Sequence, residues 1–362
     1  MVNPLTFRPV GFNLGGWMSQ SPLTDEHVAS FLKPKDFKTI AGWGFNSVRL
    51  PVDGAYLFSD GGRGTLRPER LAVLKQTLER AWAKRLHVVL DFHQCPWHSF
   101  ADPSLTGLWT NPKDLSLFAA QWEELAAALK KSEGPLWAEL LNEPTACDPE
   151  DWNRAAKELA RAVHQGDPER VRVVESTQWG SVDKLEPLAR VFSDPKVVLS
   201  FHFYEPLFFT HQRAPWWKDG AFFQETMEYP GDVPRWKEYL ARPDLTPVGR
   251  DLLEKRGLRT WNRDALRELL KPAFDLRKRG VPLYCGEFGV YEIAPQASRR
   301  AWIGDMMHLL GDLGAGWAYW NYKWLDFGVF AKTPGGGTTE ADLEMVSTLQ
   351  RGLRSPQGAD QA

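Results

Sequence analysis

Eight short apolar runs, each of strand length, alternate along the chain with longer amphipathic segments. This alternation is typical of repeated strand–helix units rather than of a helical bundle or a sandwich of strands. Most of the runs are nearly continuous in apolar residues, as expected for parallel strands buried on both faces. The predicted strands are 10–14, 46–50, 87–92, 136–141, 171–175, 197–203, 282–287 and 316–320.

Helical patterns fill most of the segments between these strands. They are clearest at 68–84, 113–130, 149–165, 263–279 and 296–313, and several begin with Pro or an acidic residue. A crossover helix after each strand predicts an α/β fold, a single-domain (β/α)₈ barrel, which fits a chain of 362 residues. We expect the barrel domain to span 1–340 and to be followed, at 341–362, by a C-terminal helix and a frayed tail.

One connection, 206–261, is far longer than the others and mixes aromatic, Pro and charged residues. We interpret it as an elaborated loop after the sixth strand. A fragment of a second domain is the alternative, although the segment is too short to bury a core of its own.

Charge and cysteine content limit the classes of partner. The 44 basic and 46 acidic residues give a net charge of −2, so no overall field attracts nucleic acid or an anionic membrane. Cys95, Cys147 and Cys285 lack CxxC spacing, which indicates free thiols rather than a zinc site or a disulfide framework.

The N-terminal segment, MVNPLTFRPVGFNLGGW, has no basic start, apolar run or cleavage site typical of a secretory signal. No run approaches the roughly 18 uncharged apolar residues that a membrane span needs. We therefore expect a monomer that is cytoplasmic, or secreted with its signal removed, and that has no membrane partner.

Reactive side chains follow six of the eight predicted strands. The carboxyl ends of the strands form the functional face of such a barrel, so these side chains are expected to meet there. The six strand ends are Val48-Arg49-Leu50-Pro51, Asp91-Phe92-His93, Asn142-Glu143-Pro144, His202-Phe203-Tyr204, Gly286-Glu287-Phe288 and Tyr319-Trp320-Asn321.

Two of these residues, Glu143 and Glu287, end strands that lie nearly across the barrel from each other. Glycosidic cleavage needs such a pair, in which one acid protonates the leaving oxygen and one carboxylate attacks or shields the sugar carbon. Partial burial and a hydrogen bond from Tyr204 or another donor would raise the pKa of Glu143 enough for a general acid. Arg49, if it reaches Glu287, would keep that carboxylate ionised.

Taken in order, the six motifs resemble those of glycoside hydrolase family 5, the cellulase-like enzymes, within the clan of retaining barrels with catalytic Glu on strands four and seven. The resemblance covers roughly 12–327. Segment 11–17 is similar to the first strand of glucan-cleaving members, and segment 93–100 to their third-strand loop. Trp97 stands where a Gly is usual, so the shape of that loop departs from the family's pattern.

The resemblance implies that Glu143 is the general acid/base and Glu287 the nucleophile of a double displacement. It further implies that Asn142 hydrogen-bonds the sugar 2-hydroxyl and that Arg49 and Tyr204 orient the nucleophile. No cofactor and no metal are implied.

The resemblance places His93 and His202 in the subsite where the bond is cut and makes Trp320 its aromatic floor. The chain contains 17 tryptophans, whose flat rings suit both a core and the faces of sugars. Among those that follow strand ends, Trp179 is the one that we favour as a stacking platform in an outer subsite.

The predicted activity is retaining hydrolysis of β-glycosidic bonds in a glucan-type or mannan-type poly- or oligosaccharide. An exo-acting β-glucosidase or β-mannosidase of short glycosides is the alternative, and linkage and endo action stay open. A metal-dependent barrel hydrolase is disfavoured because HxH and HExxH motifs are lacking. A non-catalytic carbohydrate-binding barrel would lack one carboxylate, whereas both are present here.

Overall fold

The computed structural model describes residues 6–353 apart from 133, 147, 218, 221–222, 258 and 336. The chain forms two compact units. The first contains described residues of 1–202, 272–287 and 314–319, and the second contains those of 203–271, 288–313 and 320–362.

Eight strands close into a barrel, in the order β1-β2-β3-β4-β5-β6-β9-β10 and back to β1, and a separate antiparallel pair consists of β7 and β8. Each predicted strand is one of the barrel strands, so the predicted (β/α)₈ fold is confirmed. The strands are β1 (Val10–Asn13), β2 (Ser47–Asp53), β3 (His87–Gln94), β4 (Leu136–Glu139), β5 (Val171–Glu175), β6 (Val197–Phe203), β7 (Gly231–Asp232), β8 (Thr260–Trp261), β9 (Leu283–Phe288) and β10 (Gly316–Tyr319).

Strand β2 continues past the predicted end at residue 50, through Pro51 to Asp53. Proline removes a backbone donor and normally ends a central strand. Here the pairing of β1 with β2 finishes at Asn13 opposite Arg49, whereas β3 continues to pair with β2 beyond that point. Pro51 is tolerated because the barrel strand on one side of it has already ended.

Most of the longer helices begin as the sequence predicts, several with Pro in the first turn, where a missing N–H matters least. The predicted helix 263–279 is two helices, because Pro272 cannot donate a backbone hydrogen bond and interrupts the pattern. The longer helices are Asp25–Phe31, Pro34–Gly42, Pro68–Trp82, Pro112–Leu129, Pro149–Gly166, Arg263–Leu269, Lys271–Lys278 and Gln296–Leu313. Shorter turns of helix are Gly54–Leu57, Ser59–Gly62, Gly107–Thr110, Thr177–Gly180, Val182–Lys184 and Leu185–Ala189.

A cluster of buried side chains packs inside the barrel. Its members come from six strands and are almost all apolar: Val89, Trp137, Val171, Val173, Val198, Tyr284 and Ala318. The ring of His87 packs edge-on against Trp137, with 4.8 Å between ring centroids. These side chains pack between strands that also carry polar groups closer to their carboxyl ends.

In the second unit, segment 206–261 contains the helices Leu207–Thr210, Trp236–Leu240 and Pro247–Arg256 and the pair β7–β8. It joins other parts of that unit through specific bonds, since Tyr229 donates to Asp305 at 2.7 Å. A helix at Leu343–Gln350 lies in the predicted C-terminal segment, whereas the predicted frayed tail, from 354 onward, lies outside the described residues. The assignment of one domain to 1–340 stays a prediction.

Among the described residues, no helix has both the length and the apolar character that crossing a membrane requires. Cys95 and Cys285 are free and buried. Cys147 lies outside the described residues.

Candidate active site

The guanidinium of Arg49 is the centre of a buried polar network at the carboxyl ends of the strands. Its side chain is inaccessible to solvent. The donors of Arg49 reach five side chains from four strands and one strand end: Asn13 Oδ1 at 2.9 Å, Asp91 Oδ2 at 3.0 Å, Glu139 Oε2 at 2.6 Å, Asn142 Oδ1 at 2.8 Å and Glu287 Oε1 at 2.7 Å. A buried charge is tolerable only when its hydrogen bonds are satisfied in this way.

Arg49 keeps its positive charge. Burial alone would lower its pKa, but the carboxylates of Asp91, Glu139 and Glu287 outweigh burial and raise that pKa well above its ordinary value. Arg49 therefore remains a fixed cation beside the nucleophile candidate, Glu287, at every working pH.

The backbone of Glu143 adopts a left-handed conformation, with φ of 44°. Such a conformation is rare for a residue with a side chain and persists only where the surroundings hold it. The N–H of Glu143 donates to Glu175 Oε2 at 3.1 Å, and its carbonyl oxygen lies 3.1 Å from Nε2 of His98. These contacts hold the backbone of Glu143 in place beyond the end of β4.

One imidazole links the two glutamates. Nδ1 of His202 lies 2.9 Å from Glu143 Oε1 and 3.6 Å from Glu287 Oε2. One carboxylate oxygen of each glutamate and a ring nitrogen of His202 all lie within 4.8 Å of one another. The carboxyls of Glu143 and Glu287 therefore share one cleft.

The protonation of these groups is set mainly by burial. Burial raises the pKa of Glu143 to about 7, although His93 and Arg49 act to lower it. Burial also raises the pKa of Glu287 above its ordinary value, against the lowering effect of His202 and Arg49. The pKa of His202 is lowered to about 4 by burial, so its ring is neutral at neutral pH.

Residues 13–324 match the family model described as Cellulase (glycosyl hydrolase family 5). The chain belongs to glycosyl hydrolase family 5. It is a glycoside hydrolase, and the predicted family and enzyme class are confirmed.

Individual family 5 relatives match most of the chain. Endoglucanase C of Acetivibrio thermocellus is 36% identical over 324 residues, which cover 88% of this chain and 92% of that protein. Cellodextrinase A of Ruminococcus flavefaciens is 29% identical over 297 residues, 81% of this chain and 79% of that protein. The crystal structure of Thermotoga maritima Cel5A in complex with mannotriose has a TM-score of 0.71 at 21% identity, covers 96% of this chain and 98% of its own, and supports the fold.

The structure of this family 5 chain brings most of the predicted site residues together. Arg49, Asn142, Glu143, His202 and Glu287 are joined by the contacts described above. His93 joins the same network, because its Nδ1 lies 2.7 Å from Asp91 Oδ2, which in turn contacts Arg49.

Trp179 is held next to Pro144, the residue that follows Glu143. Its backbone N–H donates to the carbonyl oxygen of Pro144 at 3.2 Å, and its indole N–H donates to the carbonyl oxygen of Phe100 at 2.9 Å. With both hydrogen bonds in place, Trp179 is still 43% exposed. It is a fixed aromatic surface near Glu143.

Tyr204 and Trp320 belong to the second compact unit. The ring of Tyr204 packs against His211 and Phe327, and the backbone N–H of Trp320 donates to the carbonyl oxygen of Phe288 at 2.9 Å. Their roles as nucleophile partner and aromatic floor stay predictions.

Three buried acids of the network were not predicted as site residues: Asp91, Glu139 and Glu175. Each is fully buried. Glu139 lies inside the otherwise apolar run 136–141, and an acidic residue in a buried strand needs a partner. That rule, applied to the sequence, would have identified all three.

Among the described residues, two groups of acidic and histidine side chains have the spacing of metal ligands: Glu139, Glu175 and His202, and Glu143, His202 and Glu287. Each group includes a carboxylate that already bonds Arg49. The fixed guanidinium charge disfavours a cation at either place, so the donors fit proton sharing better than metal binding. The absence of a metal or cofactor stays a prediction.

Proposed function

We propose that this family 5 hydrolase is an endo-acting β-glucanase that works by double displacement with retention, with Glu143 as acid/base and Glu287 as nucleophile. The observation that carries the proposal is the close approach of the two side chains: one carboxylate oxygen of Glu143 and one of Glu287 lie within 4.8 Å of each other, beside a ring nitrogen of His202. Retaining glycosidases hold their carboxyl groups about 5–5.5 Å apart, whereas inverting ones leave room for water at about 6.5–9.5 Å.

The different partners of the two acids support the division of roles. Glu287 accepts a hydrogen bond from the guanidinium of Arg49 at 2.7 Å, which favours its ionised, nucleophilic form. Glu143 has a neutral imidazole at 2.9 Å and a pKa raised by burial to about 7, which favours a protonated form that can donate. Pairs of acids whose surroundings differ in this way are typical of acid/base catalysis.

In the first step, a carboxylate oxygen of Glu287 attacks the anomeric carbon, and the bond to the leaving oxygen breaks as Glu143 gives that oxygen its proton. The product is a glycosyl ester of Glu287. In the second step, Glu143 takes a proton from water, whose oxygen attacks the anomeric carbon and releases Glu287 as a carboxylate.

Asn142 is oriented for sugar binding by the same network. Its Oδ1 accepts from Arg49 Nη2 at 2.8 Å, so its amide nitrogen must point away from the guanidinium. That nitrogen is a donor for the 2-hydroxyl of the sugar at the cleavage point. We assign the outer stacking surface to Trp179, because its two hydrogen bonds hold the exposed ring in one orientation.

The glucan substrate is proposed from the relatives, Endoglucanase C at 36% identity and Cellodextrinase A at 29%. The two names differ in the length of chain that they indicate. Cleavage of short cello-oligosaccharides is therefore the second candidate, and the exo-acting β-glucosidase or β-mannosidase is a third outcome of the same test.

The proposal is tested by digestion of carboxymethylcellulose, mixed-linkage β-glucan, laminarin and mannan, with product lengths followed over time. We expect a rapid fall in viscosity and a series of oligosaccharides from at least one glucan. Release of single sugars from chain ends, or turnover of mannan alone, would contradict it. Proton NMR of the first-formed products should show the β anomer, and initial formation of the α anomer would refute retention.

A further inference from the structure

The buried carboxyl of Glu175, at the end of β5, reaches Glu143 by two routes. Its Oε2 accepts the backbone N–H of Glu143 at 3.1 Å. The same oxygen lies 3.4 Å from Nε2 of His202, a buried nitrogen that makes no hydrogen bond to any described residue. The other ring nitrogen of His202 is 2.9 Å from Glu143 Oε1. One oxygen thus accepts a hydrogen bond from the backbone of the acid and faces the otherwise unpartnered ring nitrogen of the imidazole that contacts the carboxyl of Glu143.

We infer that Glu175 is a positioning residue for the acid/base: it holds the left-handed backbone of Glu143 and keeps the hydrogen of neutral His202 on Nε2. Nδ1 then carries the lone pair that accepts the proton of the Glu143 carboxyl. This inference rests on the proposed function, because it takes Glu143 as the acid/base.

Neighbouring backbone leaves little free space around the side chains of Glu175 and His202. Gly180 ends a turn in which Gln178, Trp179 and Gly180 all have positive φ, of 57°, 56° and 69°. A Cβ on Gly180 would lie 2.4 Å from Glu175 Oε1, and a Cβ on Gly286 would lie 3.0 Å from His202 Nε2. Glycine at both places leaves room for the carboxyl and the ring, which pack against bare backbone.

Burial and the neighbouring carboxylates favour a neutral carboxyl on Glu175, against the opposing charge of Arg49. Burial, followed by the nearby carboxylates of Glu139 and Glu143, raises the pKa of Glu175 well above its ordinary value. A neutral carboxyl with its hydrogen on Oε1 still offers Oε2 as an acceptor to two donors. The titratable groups facing Glu175 or His202 are Arg49, His93, Glu139, Glu143 and Glu287.

The tautomer of His202 controls the acidity of Glu143. With hydrogen on Nε2, Nδ1 stabilises the protonated acid. Without an acceptor at position 175, the ring is free to place its hydrogen on Nδ1 and donate it to the Glu143 carboxylate, which stabilises the ionised form. Loss of the acceptor should therefore lower the pKa of Glu143 and move the basic limb of the pH–rate profile to lower pH.

The test compares Glu175→Leu, which removes the acceptor, with Glu175→Gln, whose amide oxygen can accept the same two hydrogens. Both variants remove the ionisable group, so a difference between them isolates the acceptor. In Glu175→Leu we expect the basic limb of kcat/KM to move down by about one pH unit. Hydrolysis of cellopentaose, which needs protonation of its leaving group, should fall about 10- to 100-fold, and that of 2,4-dinitrophenyl β-cellobioside less than about threefold.

Glu175→Gln should return the basic limb towards the wild-type position and recover most of the cellopentaose rate. Equal losses on both substrates in Glu175→Leu, with an unmoved limb, would overturn the inference in favour of a purely structural role. Identical behaviour of the Leu and Gln variants would also overturn it.

Nitrogen-15 NMR of histidine-labelled wild-type protein tests the tautomer directly, whether or not Glu175→Leu folds. The His202 signal, assigned by its loss in His202→Gln, should report hydrogen on Nε2, and hydrogen on Nδ1 would overturn the inference. Glu143→Ala is assayed in parallel. If Glu143→Ala lacks the leaving-group dependence, the proposed function fails; if only the Glu175 variants lack it, the inference alone fails.

Discussion

Two neighbouring levels inside the barrel, carried by the same strands, have opposite chemistry. In β3 and β4, Val89 and Trp137 belong to the apolar cluster, whereas Asp91 and Glu139, two residues further on, contact Arg49. Residues i and i+2 of a strand share a face, so a step of two residues moves from one level to the next. We will call them the apolar level and the charged level.

The two levels contribute differently: the apolar level stabilises the barrel, and the charged level contains the candidate active site. Burial of large apolar side chains stabilises the folded chain. The charged level has the reverse tendency, since desolvating several carboxylates around one guanidinium is unfavourable unless every partner is in place. We infer that burial of side chains in the apolar level stabilises the folded chain enough to offset the unfavourable desolvation of the charged level.

The largest effect is expected for Glu287→Gln, which keeps the shape of the charged level and removes the proposed nucleophile. Turnover of β-glucan should fall by about 10⁴-fold or more. The melting temperature and the affinity for cello-oligosaccharide, measured by calorimetry, should be retained. Glu79→Gln, at an exposed position on the outer helix Pro68–Trp82, is the matched control. Turnover within tenfold of wild type would exclude Glu287 as the nucleophile.

Arg49→Met should damage both stability and turnover, because it leaves Asp91, Glu139 and Glu287 buried without their cation. Breaking a buried ion pair on one side costs about 3–5 kcal/mol in the free energy of unfolding. Urea titration measures this loss. Arg279→Met removes a guanidinium that is 52% exposed and should cost less than about 1 kcal/mol. Equal losses in the two variants would remove the distinction between buried and exposed charge.

Trp137→Ala tests the apolar level. Truncation of this buried ring should lower the free energy of unfolding by about 3–5 kcal/mol, with kcat per folded molecule little changed. Trp179→Ala is the opposite case, because the ring is 43% exposed and has the proposed stacking role. It should leave stability nearly unchanged and raise KM for long oligosaccharides. A reversed pattern in the two variants would contradict the assignment of both residues.

The smallest effect concerns pH. Burial raises the pKa of Glu143 to about 7 in the folded chain, from about 4.3 in an unfolded one. The folded state binds this proton more tightly, so the associated stability is present below the unfolded value and is lost as pH rises through the folded value. Between those values, stability should therefore fall less steeply with pH in Glu143→Gln than in wild type. Parallel stability curves for the two proteins, measured by urea titration, would show that folding does not raise the pKa of Glu143.

The fold was predictable because its signals are local. The run 171–175 predicts β5 with its observed bounds, since five buried residues between a helix and a turn leave little choice. The prediction of one helix over 263–279 was wrong, although Pro272, the residue that interrupts the helix, is visible in the sequence. Glu143 and Glu287 were identified because each directly follows or ends such a run.

The charged level was only partly predictable, because its contacts join residues far apart in the chain. Arg49 and Glu287 are 238 positions apart, and nothing in either local sequence specifies their 2.7 Å contact. The left-handed backbone of Glu143 and the approach of Glu175 depend on how β4, β5 and β6 lie beside one another. The expected hydrogen bond from Tyr204 to Glu143 stays a prediction. The contact described for the Glu143 carboxyl is with His202.

The central claim is that Glu287 forms a covalent bond with the sugar. Incubation with 2,4-dinitrophenyl 2-deoxy-2-fluoro-β-cellobioside, followed by mass spectrometry of peptides, tests it most directly, because the fluorine slows hydrolysis of the glycosyl ester. The account predicts a single fluorocellobiosyl adduct on Glu287 that disappears in Glu287→Gln. An adduct on another residue, or unlabelled protein that still releases dinitrophenol stoichiometrically with substrate, would contradict it.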